Sequence, residues 1–230
     1  MKILVTGSRG TIGLVVTKAL AKQHTVIGLD LPEGDITDYD FVLNKMRGVD
    51  IVIHLAHSVS ELNRENWRSG SIDPTNVLME MNVFHAAMAA KVKRLIVASS
   101  VHADNFNEYE GSELLRVPGS FHPTGPYGAH KIIIEEMGRF YASRHNVEYI
   151  GVRFGGVTPD NTVKTFLKEP AVWLSHRDLS GAIHACVDAT KVPGRFAVFY
   201  AVSDNDGRIH STDNPFGWTP QDNSKDHIKV

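Results

Sequence analysis

Short apolar runs alternate along this chain with longer segments in which apolar residues recur at helical spacing. The apolar runs are rich in β-branched residues and leucine, and they predict strands at 3–5, 25–29, 50–56, 93–100, 147–156 and 195–200. The helical spacing predicts helices over 14–22, 39–46, 76–91, 127–145 and 173–189. Strands that alternate with helices are typical of an α/β protein built on a parallel sheet.

Polar segments between these elements predict loops, at 31–38, 58–75 and 103–126. The loop over 103–126 is long for a compact domain, and loops of that length are usually functional. The tail from 205 to 230 is rich in Asp, Asn and Gly, so we expect it to wrap the surface with Trp218 as its anchor.

Two of the predicted helices carry start signals. Asp38 precedes the helix over 39–46 and is placed to cap it. The long helix over 76–91 follows Asp73, Pro74 and Thr75, which supply a capping side chain and a proline in the first turn.

Composition excludes several classes of protein. Hydrophobic residues make up 42% of the 230 and charged residues 22%, as in ordinary globular domains, so we expect one domain over 1–230. The formal net charge of −2 does not indicate a partner among nucleic acids or acidic membranes.

The single cysteine, Cys186, excludes an internal disulfide, and its apolar helical surroundings predict core packing. No apolar run is long enough to span a membrane, and no metal site is predicted. We expect a cytoplasmic protein, unless it is exported by a route that the sequence does not show.

A glycine-rich turn joins the first predicted strand to the first helix. Its glycines, Gly7, Gly10 and Gly13, allow backbone N–H groups to approach a pyrophosphate, and the following helix N-terminus attracts the same anion. Asp30 ends the second strand about twenty residues later, where an acid can accept hydrogen bonds from an adenosine ribose. The pattern predicts dinucleotide binding in a Rossmann-like, doubly wound α/β fold.

A tyrosine and a lysine four residues apart open the helix over 127–145. This spacing places Tyr127 and Lys131 on one helix face, where a lysine cation favours the phenolate form of a tyrosine. The preceding strand ends in Ser99 and Ser100 at the edge of the sheet where ligands bind. Ser100 is the first candidate to polarise a substrate oxygen, and Ser99 is the second.

The glycine spacing together with Tyr127-x-x-x-Lys131 resembles the extended branch of the short-chain dehydrogenase/reductase superfamily, the NAD-dependent epimerase/dehydratase family. The resemblance implies NAD as cofactor and Ser100, Tyr127 and Lys131 as catalytic residues. The cofactor-binding residues that it implies are Gly7, Ser8, Arg9, Gly10, Thr11, Ile12, Gly13, Asp30, Asp35, Ile36, Leu55, Ala56, His57, Asn82, Tyr127 and Lys131. The substrate-binding residues that it implies are Ser58, Ser100, His102, Tyr127 and Gly156.

Roles within that set follow the family pattern. Asp35 and Ile36 match a pair that binds the adenine edge, and Asn82 matches a structural asparagine beside the catalytic lysine. His57 stands where the family usually has a small residue. His54, three residues earlier, is expected to be a hydrogen-bonded structural histidine.

Four further stretches are similar to the uronate dehydrogenases and their aldose-dehydrogenase relatives. They are Ala98-Ser99-Ser100-x-His102, Trp173-Leu174-Ser175-His176, Tyr200-Ala201-Val202-Ser203-Asp204-Asn205 and Gly217-Trp218-Thr219-Pro220-Gln221-Asp222. The resemblance implies oxidation of a free sugar, a uronate or another aldose, at C1 to its lactone. It also implies a minor C-terminal substrate region at about 156–230.

The chain departs from that family at three places. Val101 replaces an asparagine, Gly156 replaces a serine, and an arginine expected before Trp173 to hold the uronate carboxylate is absent. Lys164 and Lys168 are the nearest cations there, and a lysine is not a bidentate substitute for arginine. The identity of the sugar substrate therefore stays open.

Two other functions remain open. A nucleotide-sugar epimerase or dehydratase shares the fold and catalytic residues, although such enzymes carry a longer C-terminal region. The other alternative is a non-catalytic dinucleotide sensor. The presence of both Tyr127 and Lys131 argues against it.

Two further expectations concern the cofactor and the assembly. Asp30 favours NAD over NADP by repelling a 2′-phosphate, while Arg9 argues weakly for NADP. The helices over 76–91 and 127–145 resemble those that pair across a two-fold axis in this superfamily, which implies a homodimer. Their apolar positions are Val77, Leu78, Met81, Phe84, Ile133, Ile134, Met137 and Phe140.

Overall fold

Parallel strands form one sheet in the computed structural model, which describes residues 1–59, 70–119 and 121–228. The strands of these described residues are β1 Lys2–Thr6, β2 Thr25–Leu29, β3 Ile51–His54, β4 Arg94–Ser100, β5 Glu148–Phe154 and β6 Phe196–Ala201. Their spatial order is β2-β1-β3-β4-β5-β6, and every neighbouring pair is parallel. All six coincide with predicted apolar runs to within a few residues.

Helices cover both faces of this sheet. They are α1 Thr11–Leu20, α2 Tyr39–Met46, α3 Pro74–Ala89, α4 Pro126–Arg144, α5 Glu169–Val172 and α6 His176–Asp188. One hydrophobic cluster joins α1 and α6 to one face, and a second joins α2, α3 and α4 to the other. Burial on both faces explains why the strands are nearly continuous apolar runs rather than alternating patterns. The predicted Rossmann-like, doubly wound class is confirmed.

The strand order reverses direction between β1 and β3. The connection from β1 leads outward to β2, and the chain then crosses back to β3 on the other side of β1. Such a switch leaves a crevice at the carboxyl ends of the two central strands, where open α/β sheets bind ligands. Among the described residues, β2 is the edge strand on this side of the sheet. The predicted loop over 31–38 follows it and begins with a short 3₁₀ turn.

The predicted helix caps are present. Asp38 Oδ1 accepts a hydrogen bond from the Phe41 amide at 3.1 Å, and Asp73 Oδ1 accepts one from the Thr75 amide at 2.9 Å. Pro74 then opens α3 where a proline is tolerated. Part of the predicted loop over 58–75 lies outside the described residues.

The C-terminal tail is fixed to α6 by a buried carboxylate. Asp178 accepts hydrogen bonds from the Ser203 hydroxyl at 2.6 Å and from the backbone amides of Gln221 and Asp222 at 2.8 and 3.0 Å. Trp218 packs into the cluster between α6 and the sheet, as predicted for the anchor of the tail. Cys186 is fully buried in the same cluster, and burial raises the pKa of its thiol. Among the described helices, none has the length and apolar character to cross a membrane.

Candidate functional site

A cleft of about 560 Å³ opens at the carboxyl edge of the sheet, where β1, β3, β4 and β5 end. This volume is typical of sites for small molecules. The cleft brings together most of the residues predicted from the sequence, namely Gly7, Gly10, Thr11, Ile12, Gly13, Leu55, His57, Ser100, His102, Tyr127, Lys131 and Gly156. Predicted residues that do not line it are Ser8, Arg9, Asp30, Asp35, Ile36, Ala56, Ser58 and Asn82.

The glycine turn brings three segments of backbone into contact. Gly7 has a positive φ of 68°, and a Cβ on it would lie 2.7 Å from the Ala56 amide nitrogen at the end of β3. A Cβ on Gly13 would lie 2.1 Å from the Gly7 carbonyl oxygen, so α1 can approach the turn only with glycine there. The N-terminus of α1 has neither a side-chain cap nor an acid in its first turn. Its amides are therefore available to an anion such as a pyrophosphate.

Asp30 fixes the turn to the end of β2. Its Oδ2 accepts a hydrogen bond from the Arg9 amide at 2.9 Å, and its Oδ1 accepts one from the Leu31 amide at 2.9 Å. The Arg9 guanidinium forms an ion pair with Glu33, and this contact lowers the pKa of the exposed Glu33 carboxyl. Arg9 is therefore paired with an acid of its own chain.

Asn82 does not lie where the sequence resemblance predicts it. Its Nδ2 donates to the carbonyl oxygens of Ile36 at 3.1 Å and Thr37 at 2.8 Å, so it holds the predicted adenine-binding loop. The asparagine on the cleft is Asn76, which exchanges hydrogen bonds of 2.7 and 3.0 Å with the backbone of Ser58. The two asparagines lie six positions apart on α3, which is about 9 Å along the helix axis, so Asn82 cannot take the place of Asn76 at the cleft. The start signal at Pro74 marked the beginning of this helix but gave no reason to choose Asn76.

The two serines at the end of β4 point to opposite sides of the sheet, as consecutive strand residues do. The Ser99 hydroxyl donates to Glu135 Oε1 in the interior. Both serines line the cleft, and Ser100 Oγ accepts a hydrogen bond from the His102 amide at 3.2 Å. Because the Ser99 hydroxyl is bound to Glu135, Ser100 is the better candidate to reach a substrate oxygen.

Tyr127 and Lys131 lie one helical turn apart on α4, as the spacing predicts. Lys131 Nζ is 5.4 Å from the centroid of the Tyr127 ring, and the lysine is almost completely buried. No carboxylate of the described residues lies within 4.0 Å of this ammonium group, so no acid among them neutralises the cation beside the Tyr127 ring. A cation near a tyrosine favours its phenolate.

Gly128 sets the distance between α4 and the end of β4. A Cβ at this position would lie 1.9 Å from the His102 carbonyl oxygen, so only glycine allows the start of α4 to rest on that turn. The His102 ring lies 5.8 Å from the Tyr127 ring, and its Nδ1 is 3.1 Å from Thr124 Oγ1. His102 therefore lies beside the catalytic candidates, as predicted for a substrate contact.

His57 gives the cleft a histidine next to the catalytic candidates. Its ring meets the Tyr127 ring edge-on at 5.3 Å, and its buried Nδ1 has no hydrogen-bond partner among the described residues. Burial, with a smaller contribution from the positive charge on Lys131, lowers the pKa of His57 to about 3. His57 is therefore a neutral imidazole at physiological pH. His54, the predicted structural histidine, is hydrogen-bonded through Nδ1 to Thr6 Oγ1 at 2.6 Å.

Buried contacts made by His130 and by Arg153 support the cleft from below, and sequence patterns gave no sign of either. His130 Nε2 lies 2.8 Å from Glu80 Oε2, which places α4 against α3 directly beside Lys131. Arg153, on β5, binds Glu135 of α4 and Asp104 of the loop after β4 at 2.8 and 2.7 Å. The buried charge of Arg153 is tolerated because both carboxylates lie beside it.

The far end of the cleft is closed by the segment that follows β5. Gly156 pairs with this segment through hydrogen bonds of 2.9 Å to Val172 and Leu174. Glu169 lines the cleft there, and its Oε2 would lie 3.4 Å from a Cβ placed on Gly156. The Lys168 ammonium donates instead to the Tyr109 carbonyl oxygen, while Lys164 is exposed outside the lining.

The profile of the NAD dependent epimerase/dehydratase family matches residues 3–167, which is more than two thirds of the chain. The chain belongs to this family. The predicted membership and its nicotinamide cofactor are therefore confirmed, and the glycine turn and the uncapped α1 supply a suitable cradle.

Two curated members of the family align with almost the whole chain. L-arabinose 1-dehydrogenase (NAD(P)(+)) from Haloferax volcanii is 31% identical over 97% of both chains. The uronate dehydrogenase of Agrobacterium fabrum is 29% identical over 97% of this chain and 86% of its own. The predicted enzyme class, an NAD-dependent sugar dehydrogenase, is the class to which these relatives belong.

A solved structure shows the same architecture. The crystal structure of uronate dehydrogenase from Agrobacterium tumefaciens aligns with a TM-score of 0.81 at 26% identity, over 98% of this chain and 86% of that one. A variant of that enzyme was crystallised with NAD. UDP-glucose 4-epimerase from Streptomyces lividans, by contrast, is 27% identical over 74% of this chain, and the match covers only 56% of the epimerase.

Proposed function

We propose that this protein oxidises a free aldose at C1 to its lactone and transfers the hydride to NAD. The observation that carries the proposal is that Ser100, Tyr127 and Lys131 meet the glycine turn in one cleft. The alignment with L-arabinose 1-dehydrogenase over 97% of both chains supports it, whereas the match to UDP-glucose 4-epimerase covers only 56% of the epimerase.

Each catalytic residue has one task in this proposal. Tyr127 takes the proton of the anomeric hydroxyl as the C1–H bond breaks and the C1 carbonyl forms. Lys131 stabilises the negative charge on the tyrosine oxygen, and Ser100 donates a hydrogen bond to the substrate oxygen. Bound NAD supplies the acceptor for the hydride. The proton leaves through Tyr127, so that aldose and NAD yield lactone, NADH and one proton.

The charges of the cleft favour a neutral sugar over a uronate. Lys131 is the one lysine or arginine that lines the cleft among the described residues, and the catalytic step uses it. At the end closed by residues 156–172, Glu169 presents a carboxylate. No arginine of the described residues lines the cleft, so a substrate carboxylate would lack the bidentate partner that suits it. We therefore propose a neutral aldose, with residues 156–230 as the region that shapes its pocket.

The surroundings of Asp30 favour NAD over NADP. A 2′-phosphate would approach the Asp30 carboxylate, and Arg9, the cation that could compensate, is already paired with Glu33. A ribose diol meets no such penalty, because it can donate hydrogen bonds to Asp30.

The experiment follows NADH formation with a panel of neutral aldoses, uronates and sugar phosphates, using wild type, Tyr127→Phe and Tyr39→Phe. We expect turnover with at least one neutral aldose. Loss of the base should reduce the rate by on the order of 10² to 10⁴ in Tyr127→Phe, while NADH binding persists. Tyr39 lies at the surface away from the cleft, so Tyr39→Phe should match wild type.

Three outcomes would contradict the proposal. Full activity of Tyr127→Phe would reject the base. Epimerisation of a nucleotide-sugar without net NADH would reject the reaction. Preference of the wild type for a uronate would reject the argument for a neutral substrate.

We also propose a homodimer that forms through α3 and α4. Of the apolar positions predicted for this contact, Phe84 and Ile134 are buried inside the protomer, whereas Val77, Leu78, Ile133 and Phe140 remain exposed. Light scattering at micromolar concentration should give twice the mass of the chain, and Phe140→Glu should lower it. A monomeric wild type would count against this assembly.

A further inference from the structure

A cluster of potential metal ligands lies at the edge of the sheet opposite the cleft. His24 precedes β2, whereas His184 and Asp188 lie four residues apart in the last turns of α6 and therefore share one helix face. One ligand atom from each of the three side chains lies within 4.8 Å of the others. The sequence alone did not predict this site, since 160 residues separate His24 from His184.

His24 is buried without a hydrogen-bond partner. Its side chain is only 9% exposed, and neither ring nitrogen makes a hydrogen bond to the described residues. Its Nε2 faces Asp188 Oδ1 at 3.5 Å, which is beyond a good hydrogen bond. A buried polar group without a partner is costly, so these nitrogens have a reason to bind something that the polypeptide itself does not supply.

The spacing of the three groups suits a small cation. His184 Nδ1 lies 3.7 Å from Asp188 Oδ2, and the two imidazole rings are 6.5 Å apart between centroids. Around a tetrahedral ion with bonds of about 2.0–2.1 Å, neighbouring ligand atoms lie about 3.3 Å apart. Asp188 is half-exposed, so small rotations of the side chains can close the remaining gap and an ion can enter from solvent.

The local backbone also favours positive charge. Both α1 and α6 run antiparallel to the strands, so both helices end at this edge of the sheet, at Leu20 and Asp188. The carboxyl end of a helix carries partial negative charge that stabilises a cation. Two imidazoles and one carboxylate are donors that suit Zn²⁺ and its first-row neighbours better than Ca²⁺ or Mg²⁺.

We propose that His24, His184 and Asp188 bind a divalent first-row transition-metal ion of the Zn²⁺ type, with solvent at the open coordination position. The ion joins the end of α1 to the end of α6. It has no part in the oxidation chemistry, because these residues do not line the cleft.

The test is calorimetric titration of EDTA-treated, dialysed protein with ZnCl₂, with the visible spectrum of bound Co²⁺ as a second readout. Wild type should bind one ion saturably, and Zn²⁺ should raise its melting temperature, because a ligand that binds the native state stabilises it. Asp188→Asn and His184→Gln should each weaken binding at least roughly tenfold. Both side chains are partly exposed, so these variants should fold, which circular dichroism would verify.

The matched control is His85→Gln, which removes an exposed histidine of α3 far along the chain from the cluster. It should bind Zn²⁺ as wild type does. The proposal is overturned if wild type shows no saturable binding, or if Asp188→Asn and His184→Gln bind with wild-type affinity.

Discussion

Lowering the pH from 7.5 to 5.5 should destabilise the protein through histidines that are buried in their neutral form. Burial lowers the pKa of His210 and His57 to about 3 and that of His54 to about 4. The unfolded chain exposes the same imidazoles with an ordinary pKa near 6.5. Between these values the unfolded chain binds protons that the native protein does not, so the free energy of unfolding falls as the pH falls.

The size of the effect follows from these pKa values. At pH 5.5, one unit below the pKa of the unfolded imidazole, each such histidine lowers the free energy of unfolding by about 1.4 kcal/mol. Nearly all of this loss develops below pH 7.5. Three histidines together account for about 4 kcal/mol, a large part of the 5–15 kcal/mol that is typical of a whole domain.

His210→Phe isolates one of these contributions. The His210 ring is fully buried, lies 4.4 Å from the Tyr200 ring, and has no hydrogen bond to the described residues through either nitrogen. Phenylalanine therefore removes the titration without breaking a hydrogen bond. Its packing cost is the same at both pH values and cancels from the comparison. The variant should lose about 1.3 kcal/mol less than wild type between pH 7.5 and pH 5.5.

The measurement is urea unfolding followed by tryptophan fluorescence at the two pH values. An identical pH dependence in wild type and His210→Phe would refute the reasoning, since it would mean that the buried imidazole gains its proton without unfolding. A wild type equally stable at both pH values would refute the sum over the three histidines.

Three further predictions concern the turn and its support. Gly13→Ala should lower the free energy of unfolding in urea by about 1–3 kcal/mol, since the new Cβ would lie 2.1 Å from a carbonyl oxygen. In the control Gly10→Ala the nearest atom to the new Cβ is 3.4 Å away, so this variant should unfold like wild type and lose only NADH affinity. Asp30→Ala should weaken NADH binding by roughly tenfold or more in a fluorescence titration, because charged hydrogen bonds to the ribose are lost. Arg153→Met should cost about 3–5 kcal/mol, because Glu135 stays buried without its partner; a change below 1 kcal/mol would contradict this.

The elements of the fold could be predicted because each depends on neighbours in sequence. The strand at 25–29 and the helix at 39–46 have the bounds that their patterns predict, and Asp38 caps the helix through an amide three residues away. The glycine turn was equally predictable, since its tight contact between Gly7 and Gly13 lies within one short segment.

The supports of the site could not be predicted, because they join residues far apart in sequence. Arg153 reaches Asp104 across 49 positions, and nothing in the apolar strand around it indicates a buried ion pair. The assignment of Asn82 failed for a related reason. Its helical position was clear, but which face of α3 meets the cleft depends on how α3 packs against α2 and the sheet.

The direction of the helices explains why the two sites lie at opposite edges of the sheet. The helices α1 and α6 both run from the carboxyl edge of the sheet to the amino edge, where His24 and Asp188 lie. The positive end of α1 favours a pyrophosphate at the cleft, and the negative ends of both helices favour a cation at the other edge. Because α1 has ten residues and is about 15 Å long, an ion at His24 is too far away to touch the reacting atoms. What such an ion can do is hold α1, the helix that carries the pyrophosphate cradle, against α6.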